Sequence, residues 1–501
     1  SEEEKIAFVD WINYQLKEDP DIKSYFPLPN VGRAIFGAVQ DGIILCKLIN
    51  KSVPNTVDER AINKTKLTVY SIVQENQTLA LNSAASIGCN ITNIKPMDIM
   101  VGRPHVILDL LWQIIKIGLF NKISLPNSLN LPFLLQEGED YSNLLAIPPK
   151  EILLRWFNLQ LHRAGSTRTV HNFSEDINDS ECYTILLNQI APRDRGVDMS
   201  PMNESNLDKR AEQMLNQAHK IGCRYFVRPK DVVKGNQRLN LAFVANLFNH
   251  APGVRPPPLG LFVEEPHMEK SFRNWMNSVG VTPFVNNIFA DLRDGIVILQ
   301  LFDKIYPGLV VDWDKVNKSP FKISSGNRKK LENCNYVIEL AQKLQFAITG
   351  VSGQHIREGN PTFILAVAWE TMRAYTLSVL QKMDRTYQPM GDLDILSWIN
   401  TLLGISGKGT QNIRSFEDPI LASSVTILDV VASLKSDSVD YFNVGYGTDE
   451  KTMLSNAKYA ISMSRKIGAR VYALPEDLVE PNSKMYFTVF AGLLIAARLM
   501  L

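Results

Sequence analysis

The chain has 501 residues, 45% hydrophobic and 21% charged, a composition that excludes a disordered or fibrous protein. Its 53 Lys and Arg nearly cancel its 52 Asp and Glu, for a net charge of +1, so no global field marks a nucleic-acid or membrane-surface binder. Such a length predicts roughly three to five domains.

The chain opens SEEEKIAFVDW, acidic and without the basic-then-apolar order of a secretion signal. The stretch FVDWINYQL puts Trp11 on the apolar face of a first helix, and Asp41-Gly42 and Ile62-Asn63-Lys64 follow. Residues 102–120 read GRPHVILDLLWQIIKIGLF, an apolar helix opened by Pro104 in its first turn. The run is shorter than the ~20 residues of a bilayer span. Its polar residues His105, Asp109, Gln113 and Lys116 fall at steps of 4, 4 and 3, one narrow stripe of a helix otherwise covered by protein. A core helix is predicted, not a membrane span.

Residues 123–147 contain LPNSLNLPFLL, whose Leu125, Leu129, Leu131, Phe133, Leu134 and Leu135 predict a linker packed on a domain. A second Trp helix, LLRWFNLQL (Trp156), opens residues 148–250, and Arg255-Pro256-Pro257-Pro258 in 251–263 predicts a stiff spacer. FRNWMNSVG (Trp275) opens residues 264–380; after a joint at 381–390, ILSWINTLL (Trp398) lies in 391–501. With residues 1–122, four repeats result. The Trp spacings of 145, 119 and 123 suit complete small domains, not solenoid units. Each Trp reads as core.

Each repeat ends by running from a helix end through a loop into an apolar helix. Pro96/Asp98, Pro229/Asp231 and Pro475/Asp477 mark three of these loops, and the third repeat departs there. The first and third repeats carry Asp-Gly (Asp41-Gly42, Asp294-Gly295) and a Trp in the last helix (Trp112, Trp369). The second and fourth lack Asp-Gly and have Ala245 and Ala491 there instead of Trp. They share Phe173 and Phe416, and TIL at Thr184 and Thr426. A two-domain unit duplicated whole is the simplest history. No sustained alternation signals strands, so the predicted class is all-α. The five cysteines (Cys46, Cys89, Cys182, Cys223, Cys334) form no CxxC pair and are expected to be buried thiols of a reducing cytosol.

Trp in the first helix, DGI-x-L-x-x-L after a loop, and P-x-D-x-x-x-G before the apolar helix resemble calponin-homology domains. Two in tandem resemble an actin-binding domain, and two such tandems resemble the fimbrin (plastin) actin-bundling core. The resemblance implies four calponin-homology domains, as two tandem pairs in a compact core with the first and last domains near each other. It implies binding of filamentous actin and cross-linking into tight bundles, by a monomer of the cytoplasmic cytoskeleton. No EF-hand loop D-x-[DN]-x-[DN]-G occurs in these residues, so calcium control is not expected to reside in them.

The family draws its actin surface from the first and last helices of the odd domain and the first helix of the even one. Here these are residues 5–17, 94–117 and 150–162, and again 268–279, 350–374 and 392–403. The resulting candidates are Asn13, Lys17, Arg103, His105, Asp109, Gln113, Lys116, Arg155 and Gln160. Arg273, Asn360, Glu370, Arg373 and Asn400 are those of the second pair. The basic runs at Lys64–Lys66 and Asn327–Lys330 read as solvated surfaces, with attraction to an acidic filament as the functional reading. The missing P-x-D turn of repeat three predicts two sites of unequal strength.

One face decorates a filament; two faces in one chain bridge two. Residues 1–250 and 264–501 are each expected to bind filaments, with neither bundling alone. A scaffold for microtubules or signalling partners is the alternative, because fold does not fix function. No HExxH, G-x-S-x-G or paired His/Cys constellation occurs, and GISGKGTQ (404–411) lacks phosphate-loop spacing. No enzyme, cofactor, metal, nucleic-acid or membrane role is expected.

Overall fold

The computed structural model describes residues 1–123, 134–139, 147–253, 267–385, 388–409 and 412–501, and contains no strand among them. Five helices recur in each repeat. The first repeat has α1 (Glu2–Leu16), α2 (Ile43–Ser52), α3 (Tyr70–Ser86), α4 (Pro96–Met100) and α5 (Pro104–Asn121). The second has α6 (Pro149–Arg163), α7 (Glu181–Ile190), α8 (Leu207–Lys220), α9 (Pro229–Val233) and α10 (Gln237–His250). The third has α11 (His267–Ser278), α12 (Ile296–Ile305), α13 (Gly326–Lys343), α14 (Gly353–Glu358) and α15 (Pro361–Met383). The fourth has α16 (Asp392–Ser406), α17 (Val425–Leu434), α18 (Glu450–Lys466), α19 (Pro475–Val479) and α20 (Ser483–Leu499).

The same few polar residues lock each repeat. The Asn two positions after the first Trp both donates to and accepts from one backbone residue of the next loop. Asn13 holds Leu28, Asn158 holds Val170, Asn277 holds Val285 and Asn400 holds Ile413, at 2.7–2.9 Å. Two otherwise orphaned backbone groups per repeat are satisfied by one amide. A second Asn, on the third helix, gathers two carbonyls: Asn76 donates to Asp41 and Asn63, Asn333 to Asp294 and Asn317, and Asn456 to Ser423 and Gly445. In the second repeat Arg210 does this instead, reaching the Asp179 and Glu204 carbonyls at 3.1 and 2.8 Å.

The Asp-Gly pairs stand where the backbone enters the left-handed region, with Gly42 at φ +82° and Gly295 at +78°. The even repeats adopt the same conformation with serines, Ser180 at +63° and Ser424 at +59°. Asp98, Asp231 and Asp477 each cap the short fourth helix by accepting from the backbone N–H three residues earlier. In repeat three the Nδ1 of His355 accepts from the Ser352 N–H at 3.1 Å, so an imidazole does the work of the missing carboxylate.

The chain divides into two compact units: Ser1–Val39, Lys51–Val53 and Gly102–Glu265 form the first, and Gln40–Asn50, Pro54–Val101 and Pro266–Leu501 the second. The middle of repeat one thus groups with repeats three and four. In the second unit α3 packs on α18. Arg465 there is buried and donates to the Thr56 and Val471 carbonyls, while Asn82 donates to the Arg465 carbonyl. Arg60 stacks on Tyr459, and Lys435 bonds Glu75 at 2.5 Å. In the first unit Trp156 donates its indole N–H to the Pro252 carbonyl at 2.7 Å.

All five cysteines are buried free thiols, and burial pushes Cys182 and Cys223 up to about 11. Of the apolar linker positions, Leu134 is buried and Leu135 exposed, whereas Leu125, Leu129, Leu131 and Phe133 lie outside the described residues, as does Arg255-Pro256-Pro257-Pro258. Among the described residues α15 alone is long and apolar enough to cross a membrane; here it packs against α20.

Candidate functional site

In the first unit α5 packs against α1 and α10. Phe8 of α1 stacks on Trp112 of α5 at 5.8 Å. Repeat two covers both. Tyr225 and Phe226 of its α8–α9 loop lie 5.6 and 4.7 Å from the Trp11 ring. Arg238, the second residue of α10, stacks on Trp112 at 5.3 Å and pairs with Glu4 at 3.1 Å. Trp11 is buried, but its aromatic partners include the neighbouring repeat as well as Tyr14 of its own helix.

The second unit repeats this seam with different residues. Lys484, the second residue of α20, lies over Trp369 at 5.7 Å, as Arg238 does over Trp112. Tyr472, at the position of Phe226, accepts from Ser271 of α11 at its carbonyl, at 2.9 Å, and its hydroxyl meets the Ser278 hydroxyl at 2.5 Å. Trp275 of α11 and Tyr375 of α15 are 5.7 Å apart.

The α5 stripe is where the pattern put it. Arg103, His105 and Asp109 are exposed, and Gln113 and Lys116 half-buried; Gln113 donates to the Asp109 carboxylate at 3.0 Å. Lys116 makes no ion pair among the described residues and lies 5.4 Å from the Phe120 ring. Its ammonium is held below the ordinary lysine range, first by burial and then by the charges of Arg238 and Lys150. Those three cations, from α5, α10 and α6, form a basic cluster at the seam, compensated among the described residues only at Arg238 by Glu4. Lys17 is exposed at the end of α1.

Counting from the Trp of each helix, the counterparts of Lys116 and Lys150 are Arg373 and Asp392. These two form an ion pair at 2.7 Å, and Arg373 also stacks on Phe487 at 5.1 Å. The charges at these two positions are alike in one pair and opposite in the other. Glu370 is half-buried one turn before Arg373. Arg273 is half-buried and donates to Asn274 at 3.2 Å.

Five candidates have structural duties that set them apart. Asn13 and Asn400 are loop pins, and the W-x-N pattern in all four repeats was the available signal. Gln160 is fully buried and donates to the Pro252 carbonyl at 3.2 Å, so it presents nothing to a partner. Arg155 is held by both carboxylate oxygens of Glu139 at 2.7 and 3.1 Å. Asn360 caps α15 by accepting from Phe363. Sequence reasoning missed Lys150, Arg238, Asp392 and Lys484, because seam residues are recognised only once the paired helices are in register. Of the basic runs, Lys64 pairs with Glu59 and Arg328 with Glu332 of their own repeats.

The calponin homology (CH) domain family matches residues 2–119, 147–253, 266–376 and 391–498. The chain is 50% identical over 493 residues to fimbrin of Dictyostelium discoideum, covering 98% of this chain and 80% of that one. It is likewise 50% identical over 509 residues to plastin-3 of Danio rerio, covering 99% and 80%. The crystal structure of the actin-crosslinking core of Schizosaccharomyces pombe fimbrin is similar, with a TM-score of 0.83 and 40% identity, covering 99% of this chain and all of that one.

Proposed function

The chain belongs to the fimbrin/plastin family of calponin-homology proteins, and on that premise we propose that it binds filamentous actin through two paired faces and cross-links filaments into bundles. The observation that carries this reading is the duplicated seam. In each pair the Trp of the odd last helix is covered by a cation from the second position of the even last helix, Arg238 on Trp112 and Lys484 on Trp369. Two copies of one paired unit give two faces, and the second contact forms at high effective concentration once the first is made. A scaffold with one partner has no need of the second copy.

The first face comprises Lys17, Arg103, His105, Asp109, Gln113 and Lys116, to which Lys150 is added. Its cations, which outnumber its one carboxylate, suit an acidic filament and attract it at a range that salt shortens. The second face comprises Arg273, Glu370 and Arg373 with Asp392, and depends less on charge. The chain acts as a monomer of the cytoplasmic cytoskeleton, without catalysis, nucleic acid or membrane. Co-sedimentation tests the reading: filaments pelleted at low centrifugal force report bundling, and binding seen only at high force reports one working face. Pelleting at neither force contradicts it.

A further inference from the structure

In the second unit, residues from repeats one, three and four line a partly open cavity of about 380 Å³, within the ~300–1,000 Å³ range of small-molecule sites. Its walls are apolar, with Ile91, Trp275, Val279, Met372 and Ile495 among them. Three polar side chains there are turned to internal work: Thr376 donates to the Met372 carbonyl, Thr488 to that of Met485 and Asn82 to that of Arg465. Arg470 is the one charged side chain in the lining.

Arg470 is exposed and makes no hydrogen bond or ion pair among the described residues. Its charge is felt at Tyr375 and Tyr472, where it opposes the rise that burial imposes on both phenols. The corresponding arginine of repeat two is fully engaged: Arg224 takes both oxygens of Glu212, at 3.0 and 2.9 Å, and Asn216 at 2.6 Å. At the Glu212 position repeat four has Lys458, so the acid that would neutralise Arg470 is replaced by a second cation. An apolar concavity with a single unpaired guanidinium is complementary to a molecule with an apolar body and one anionic end.

We propose that this cavity binds a small amphipathic monoanion, a carboxylate or sulfonate on an aromatic or acyl body, with Arg470 pairing the anion. Occupancy would brace three repeats at once and raise the thermal midpoint by linkage.

The test is a fluorescence titration of the whole chain with 8-anilinonaphthalene-1-sulfonate, with helix content monitored by circular dichroism. One saturable site per chain is expected. Arg470→Gln, a surface change that leaves the core intact, should weaken it about tenfold, and Val379→Trp, which fills the cavity, should abolish it. Displacement of the dye by dodecanoate assigns the site to acyl anions, and displacement by 1-naphthoate alone assigns it to aromatic ones. Dye binding unchanged by both substitutions, or displaced by neither acid, overturns the proposal.

Discussion

Arg373 donates to Asp392 at 2.7 Å, whereas the corresponding residues of the first pair are Lys116 and Lys150, whose charges repel. The two seams share geometry and differ in sign, so the two proposed faces are expected to differ in electrostatic character. The first face carries a net field into solvent, and the second cancels its own. Salt should therefore discriminate between them.

In the whole chain, Lys116→Gln with Lys150→Gln should weaken filament binding about tenfold at low salt, at roughly 0.5–1 kcal/mol per charge. The same variant should flatten the salt dependence measured by high-speed co-sedimentation between about 50 and 200 mM salt, where screening lengths shorten. Arg373→Gln with Asp392→Asn, which removes a self-cancelling pair, should leave that dependence unchanged. A larger flattening in the second variant would refute the assignment.

Lys116 should also trade stability for binding. Its ammonium is depressed in the folded state, so the charged form carries a folding penalty at neutral pH. That penalty is fully present below the lowered folded value and disappears as pH rises through it toward the unfolded value near 10.4. Lys116→Met should accordingly raise the thermal midpoint, by the equivalent of about 0.5–1 kcal/mol, while weakening filament binding. A variant less stable than the parent would contradict the sign.

The loop pins are predicted to be structural. Asn277→Ala leaves the buried Val285 N–H and carbonyl without partners and should cost about 2–4 kcal/mol. Asn13→Ala should cost less, because Leu28 is bonded in a partly exposed position. Both should keep filament affinity well below their melting temperatures. Loss of affinity in Asn13→Ala with an unchanged melt would return Asn13 to the filament face.

The left-handed positions predict opposite responses to opposite substitutions. Ser180 and Ser424 have positive φ and buried hydroxyls without partners among the described residues, so Ser→Gly at either site should stabilise by roughly 1–2 kcal/mol. Gly42→Ala should destabilise by at least about 2 kcal/mol, since a Cβ there would lie 2.8 Å from the Asn76 Cβ and 2.9 Å from its carbonyl carbon. Thermal denaturation measures both.

Much of this architecture was legible in the sequence because it is carried by periodic patterns within single helices. Trp11, Trp156, Trp275 and Trp398 marked the repeats, and the stripe from His105 to Lys116 marked a wet edge of α5. Three features were not legible. The His355 cap replaces an aspartate with a residue of different shape and similar acceptor geometry. Arg210 replaces an asparagine on the same two carbonyls. The cations on Trp112 and Trp369 come from other repeats, so no local window contains both partners. Pairing at the seams is a matter of register between helices distant in the chain, which spacing alone does not report.

Bundling is predicted to require two filament faces on one chain. Low-speed pelleting of actin filaments by the whole chain, run beside residues 1–250 and 264–501, tests it most directly. The whole chain should pellet filaments at low force, and each half should pellet with them only at high force. Low-speed pelleting by either half as a monomer, or none by the whole chain, would contradict it.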